Sequence, residues 1–153
     1  MYEETIYRNI SKSGDLIKFE VVQEETDLLI SAEKDLKTLA QKLVKQVRMD
    51  LARYIMRNPS FETSFIPLKQ AGNASDIVVD MIKSSSKVNV GPMASVAGAI
   101  AQYVGKNLLK YSRQVIVENG GDIFIKTRVP RTVLVHAGES PFSNKTAIEI
   151  DAK

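Results

Sequence analysis

Cysteine is absent from the chain, which excludes disulfides, thiol nucleophiles and thiolate metal sites. Histidine occurs once, at His136, so a His-rich metal centre is excluded as well. No apolar run approaches membrane-spanning length, and the opening Met1 to Ile10 has neither a basic region nor an apolar one of signal-peptide type. These absences point to a cytoplasmic protein with no membrane partner. Excess charge is also small: the net charge is +3 with pI near 9.1, and the basic residues spread along the chain without clustering. Nucleic acid is therefore not an expected partner. Internal repeats, low-complexity tracts and clear linkers are missing too, so residues 1–153 read as one domain, long enough to bury its own core.

What is present is a pattern of short strands around long helices. Apolar and polar residues partly alternate from Thr5 to Ile10 and from Leu16 to Val22, with Ser13-Gly14-Asp15 between them, predicting a hairpin. Thr26 to Ser31 adds a third strand to the same meander. Leu36, Leu39, Leu43, Val47, Leu51, Tyr54 and Ile55 recur at the spacing of an amphipathic helix lying across a sheet, ended by Asn58-Pro59. Arg48 and Asp50 on this helix read first as its solvated face. Phe61, Phe65 and Ile66, stopped by Pro67, predict a covering loop packed on the core, too interrupted to be helical. Asn73, Ser75 and Asp76 supply N-cap chemistry for a helix carrying Ile77, Val78, Met81 and Ile82. Ser84-Ser85-Ser86 ends it, and reads as a solvated linker before it reads as a phosphate cradle. Thr132 to Ala137 and Thr146 to Ile150 predict two further strands. His136 reads as a half-exposed strand residue, because Glu139 and Ser140 beside it match no nucleophile-elbow order.

The chain is organised around Asn89 to Lys126. Gly91-Pro92 sets a turn that opens a helix near Met93, since proline fixes φ and needs no donor at a first helical position. Small residues at Ala94 and Gly98, and at Ala97, Ala101 and Gly105, leave two adjacent faces with almost no side chain, so this helix can approach a sheet or a ligand closely. Lys106, Lys110 and Arg113 near its end complement the helix dipole. Val115 to Val117, then Glu118-Asn119-Gly120-Gly121-Asp122, then Ile123 to Ile125 predict a hairpin. A tight turn there brings Glu118 and Asp122 to one end of the hairpin. Two such carboxylates can bind Mg²⁺ through oxygen or share a proton, or they can serve the turn alone. Met93 reads as a gap-filling core residue.

The run from Val90 to Ala101, V-G-P-M-A-S-V-A-G-A-I-A, followed by V-E-N-G-G-D-I at Val117 to Ile123, resembles the ApbE-like family, relatives of the ApbE flavin transferases. The similarity extends through R-x-D-L-x-x-Y-I (Arg48 to Ile55), P-S-F (Pro59 to Phe61), Pro67-Leu68 and H-A-G-E-S (His136 to Ser140). The resemblance implies FAD or FMN as ligand, Mg²⁺ as a second cofactor and a connection with FMN transfer. It implies a flavin or nucleotide site formed by Gly91, Pro92, Met93 and Ala94 together with Glu118, Asn119, Gly120 and Gly121, with Asp122 on the metal and Met93 packed on the ring. It also implies that the glycines let backbone N–H groups approach the ligand. Where the transferases carry a lysine-glycine pair and then an aspartate, this chain has Ala97-Gly98 and Gln102. The residues that hold Mg²⁺ in those enzymes lie near their C terminus, so the resemblance further implies a chain lacking that part. The strand pattern at its end would then lack a neighbour, and a homo-oligomer is expected.

The expected fold is α+β: an antiparallel sheet system packed by the long amphipathic helix and the small-residue helix. The expected function is binding of a flavin or another nucleotide with Mg²⁺, with no catalytic residue assigned. The alternative is a non-catalytic ligand-binding or assembly module, whose glycines serve packing only.

Overall fold

The computed structural model describes residues 14–70 and 72–152. Within these residues six strands and four helices follow in the order β1 (Ile17–Gln23), β2 (Thr26–Ala32), α1 (Lys37–Arg57), α2 (Ser60–Thr63), α3 (Asp76–Ser86), α4 (Val96–Leu108), β3 (Val115–Asn119), β4 (Asp122–Lys126), β5 (Arg131–Leu134) and β6 (Ala147–Ile150), with a 3-10 turn at Pro92–Ser95 leading into α4. The α+β class is as expected. The strand expected over residues 5–10 lies outside the described residues.

Strands β1 to β4 form one antiparallel sheet in the order β1-β2-β3-β4. Each end of it is a sequence-local hairpin, and the seam between them is β2 on β3, with Leu28 opposite Asn119 and Ala32 opposite Val115. Cross-strand partners share a face, so Phe19, Val21, Leu28, Ile30, Val115 and Val117 all lie on the side covered by helices, and all are buried. β5 and β6 form a separate two-stranded sheet, shorter than the strands expected over 132–137 and 146–150. It is tied back by Arg131, whose guanidinium donates to both carboxylate oxygens of Asp15 at 2.6 and 2.7 Å and to Gln114 Oε1 at 3.2 Å. The same Gln114 oxygen accepts the Thr127 hydroxyl and the Arg128 N–H, each at 3.1 Å.

The buried stripe of α1 is Ala40, Val44, Val47, Leu51 and Tyr54. Leu36, Leu39 and Leu43, expected within the apolar stripe, flank it and are only partly buried. The smaller Ala40 and Val44 take the line of closest approach. Asn58 closes the helix, donating its N–H and its side-chain Nδ2 to the Tyr54 carbonyl at 2.9 and 3.1 Å. Two expectations nearby are corrected. Phe61 belongs to a helical turn, α2, and sits edge-on to Tyr54 with ring centroids 5.0 Å apart. Phe65 and Ile66 do not cover the core: they are 92% and 68% exposed.

α3 starts where expected, yet Ser75 at its N-cap makes no capping hydrogen bond. Ser84-Ser85-Ser86 forms its last turn and is not a linker: the Ser85 and Ser86 hydroxyls donate to the Ile82 carbonyl at 3.2 and 2.7 Å. Such back-bonding uses the hydroxyls within the helix.

The small faces of α4 do allow close approach. An added Cβ at Gly105 would lie 2.0 Å from the Phe124 ring, so β4 packs directly on the helix backbone there. At Gly98 an added Cβ would meet only the end of the Asp122 side chain, at 3.2 Å. Gly105→Ala is therefore expected to destabilise the fold by about 1–3 kcal/mol through overpacking. Gly98→Ala should be near neutral, since the gain in helix propensity of up to about 1 kcal/mol offsets a small shift of a flexible chain end. Equal melting temperatures for the two variants would refute this picture of the helix–sheet contact.

Three carboxylates are held below their ordinary range: Asp15 by the hydrogen bonds from Arg131, Glu25 by those from Arg48, and Glu33 by the backbone N–H of Arg113. A depressed native value favours the ionised form in the fold. The resulting stability is present above the unfolded values near pH 4 and is lost as pH falls through the lower native ones. Arg131→Met should therefore lower the melting temperature most at about pH 7 and progressively less as acid protonates Asp15, leaving at low pH only the loss of its bonds to Gln114 and Thr127, which thermal melts across that range would check. A constant difference at all pH values would show that Asp15 is not the partner that matters.

Candidate functional site

The Gly91-Pro92 turn forms as expected but begins with 3-10 geometry, and α4 proper starts at Val96. Gly91 has φ −69°, open to any residue, so its reason is space. An added Cβ would lie 1.7 Å from the Ser64 carbonyl oxygen, and the Gly91 N–H donates to the Phe65 carbonyl at 3.0 Å. The segment after α2 thus lies directly on the turn. Ser95 fixes the other side, its hydroxyl donating to the carbonyls of Pro92 at 2.9 Å and Met81 at 3.3 Å.

Between these segments is a cleft of about 540 Å³ lined by Glu62, Thr63, Ser64, Phe65, Val90, Gly91, Met93 and Ala94. Its size is within the usual range for small-molecule sites. Gly91, Met93 and Ala94 line it, whereas Pro92 is buried and does not. The wall from Glu62 to Phe65 was not picked out from the sequence. Its one available signal was Phe65, an aromatic that the neighbouring polar residues could not bury.

The hairpin is tighter than expected: Glu118, Asn119 and Asp122 belong to the strands, and the loop is Gly120-Gly121 alone. The glycines have φ of +58° and +96°, with open space beside both. Their requirement is conformational, as in two-residue turns of the primed type. Asn119 pairs with Asp122 and Glu118 with Ile123, so the two carboxylates project from opposite faces of the sheet. This corrects the expectation of a carboxylate pair. Glu118 Oε1 accepts the Gly121 N–H at 2.8 Å and so braces the turn. Asp122 lies on the helix side, against Gly98, and beside it Asn119 Nδ2 donates to the Ala97 carbonyl at 3.0 Å. The end of the hairpin is thereby held on the first turn of α4, about one turn beyond Ala94. No hairpin residue lines the cleft itself. Among the described residues no three acidic or histidine side chains gather as a metal site.

The remaining candidates are engaged elsewhere. Arg48 donates to the Thr26 hydroxyl at 2.8 Å and to Glu25 at 2.7 Å, and also pairs with Glu24, which has φ +53°. It clamps the β1–β2 turn to α1. Asp50 accepts from Gln46 at 3.0 Å. His136 lies beyond the end of β5 and is exposed, with Nδ1 3.4 Å from Asn144 Oδ1, so it is not a strand residue. A second, polar cleft of about 340 Å³ between α3 and α4 is lined by Asp76, Asp80, Gln102, Tyr103 and Lys106 among others, with Gln102 Nε2 donating to Asp80 at 3.0 Å. Burial, then the charges of Asp50 and Asp76, push the Tyr103 phenol above its usual range. Gln102 was singled out from the sequence. Of the acids facing it, the sequence marks Asp76 only as a capping residue and Asp80 not at all, because both stand on another helix.

The family described as AbpE bacteria matches residues 8–153. The chain belongs to this family. Similar proteins carry the name UPF0280 protein: that of Methanococcus aeolicus is 36% identical over 135 residues, covering 88% of this chain and 54% of the relative. The one from Methanocaldococcus jannaschii is 35% identical over 134 residues, 87% and 54% of the two chains. That of Methanopyrus kandleri is 36% identical over 135 residues, 86% and 54%. The chain thus spans about half the length of the curated relatives it matches. Among the described residues no helix is long and apolar enough to cross a membrane.

The hairpin geometry of this AbpE-family chain makes a direct test of the glycine turn possible. Gly120→Val should destabilise the protein clearly, because a β-branched side chain at positive φ is strained even in open space. Gly120→Asn should cost much less, as asparagine tolerates that conformation. Denaturant titration would check the order, and equal midpoints would mean that the turn relaxes to another form.

Proposed function

We propose that this protein binds a flavin or another nucleotide in the cleft beside the Gly91–Ala94 turn, in keeping with the resemblance to relatives of the ApbE flavin transferases. The single observation that carries the reading is the arrangement around the start of α4. An apolar-walled cleft with an exposed Phe65 and a half-buried Met93 lies at the turn, and one turn further along stands the Asp122 carboxylate. A planar ring suits the Phe65 and Met93 walls. Mg²⁺ suits Asp122 on the condition that the ligand supplies phosphate oxygens, because Mg²⁺ is commonly held by one or two carboxylates plus phosphates and waters. Glu118, braced against Gly121 on the opposite face, takes no part.

Calorimetry and thermal melts with FAD, FMN and ADP, each with and without Mg²⁺, test the proposal. A ligand at 100 times its Kd should stabilise the protein by about 2.7 kcal/mol. Asp122→Ala should abolish the Mg²⁺-dependent increment for the diphosphates and leave metal-free binding unchanged. Phe65→Ala should weaken both flavins more than ADP. Absence of binding heat for all three nucleotides under both conditions would favour the second reading, an assembly or packing module. That reading has its own support: Gly91 and Gly105 are each explained by an internal contact, with the Ser64 carbonyl and the Phe124 ring.

A further inference from the structure

β4 is an edge of the four-stranded sheet, and no described residue pairs with its outer side. Such an edge is normally blunted by charge, proline or a bulge. β1, at the other edge, carries Lys18 and Glu20 within the strand. β4 reads Asp-Ile-Phe-Ile-Lys: its centre is wholly apolar, its register with β3 is unbroken, and its charges sit only at the two ends, one of each sign. In a two-residue hairpin the closing pair, here Asn119 and Asp122, exchanges hydrogen bonds, and bonded pairs alternate along the ladder. Asp122, Phe124 and Lys126 therefore bond to β3, while Ile123 and Ile125 turn their N–H and C=O groups outward.

We propose that two copies of this chain pair antiparallel through β4, about a two-fold axis at Phe124. Of the registers that match outward groups to outward groups, this one overlaps the whole strand. It places Ile123 of each copy opposite Ile125 of the other, in reciprocal backbone hydrogen bonds. It also sets Asp122 of each copy opposite Lys126 of the other, on the helix side, so the charge pattern of the strand is complementary to its own reverse. On the other face, Ile123 and Ile125 continue the half-exposed apolar stripe begun by Leu29 and Ile116 across the junction. An edge of this length buries far less than the roughly 1,200–2,000 Å² of a standard stable interface, so the dimer is concentration-dependent. The proposal goes beyond the nucleotide reading, and no ligand enters its test.

Sedimentation across a wide protein concentration range should show a monomer–dimer equilibrium. Asp122→Lys and Lys126→Asp should each weaken it by roughly tenfold or more, since every swap creates like-charge pairs at two symmetric positions. The double variant should restore it. Ile125→Pro removes an outward N–H without touching the β3 ladder and should leave a folded monomer, which circular dichroism would verify. A parent protein that stays monomeric throughout would overturn the proposal. So would a dimer indifferent to both single swaps and to the proline.

Discussion

The contact on which the rest of the structure depends is that between α4 and the β3–β4 hairpin. A helix normally stands off a sheet by the thickness of two side-chain layers. Here Gly105 removes one of them, so the Phe124 ring rests on helix backbone, and Gly98 leaves room for Asp122. Asn119 then reaches the Ala97 carbonyl. Hairpin, helix and the turn preceding the helix become one rigid unit, which is why a carboxylate on a strand stands at a defined distance along the helix from a cleft formed by loops.

Glycine serves two separate needs in this unit. Gly91 and Gly105 have ordinary surroundings for φ but no space for a side chain; Gly120 and Gly121 have open space but a backbone that side chains resist. Gly98 has neither need, meeting only the end of the Asp122 side chain, and tolerates change best. The polar clamps work differently. Arg48 and Arg131 each gather a strand terminus and a distant segment with charge-assisted hydrogen bonds, and both stay mostly shielded from water while their acidic partners remain exposed.

Much of this was legible in the residues. The period of α1, the Gly-Pro turn, the small faces of α4 and the Gly-Gly hairpin are local signals, and each formed an element close to where it was expected. What could not be read was relative placement. Nothing in Glu118-Asn119-Gly120-Gly121-Asp122 distinguishes a five-residue loop, with both acids at one end, from a two-residue turn that sends them to opposite faces. The wall of the cleft from Glu62 to Phe65 and the placing of acids opposite Gln102 were invisible for the same reason, since these residues meet their neighbours only through tertiary packing. Phe65 and Ile66 misled because apolar residues near a proline usually cover a core, and here only Phe61 of the three is buried.

The order of strands has a kinetic consequence. β1–β2 and β3–β4 are both local hairpins, quick to close. The seam that unites them, β2 on β3, has the entire helical layer between its halves in sequence. Loop-closure entropy delays such a pairing until α1, α3 and α4 have collapsed into a short effective tether. Until then β2 and β3 each carry an unpaired, strongly apolar edge. The rate at which the helices gather therefore sets how long the chain is exposed to misassembly, and the stability of the separate hairpins has little influence on it.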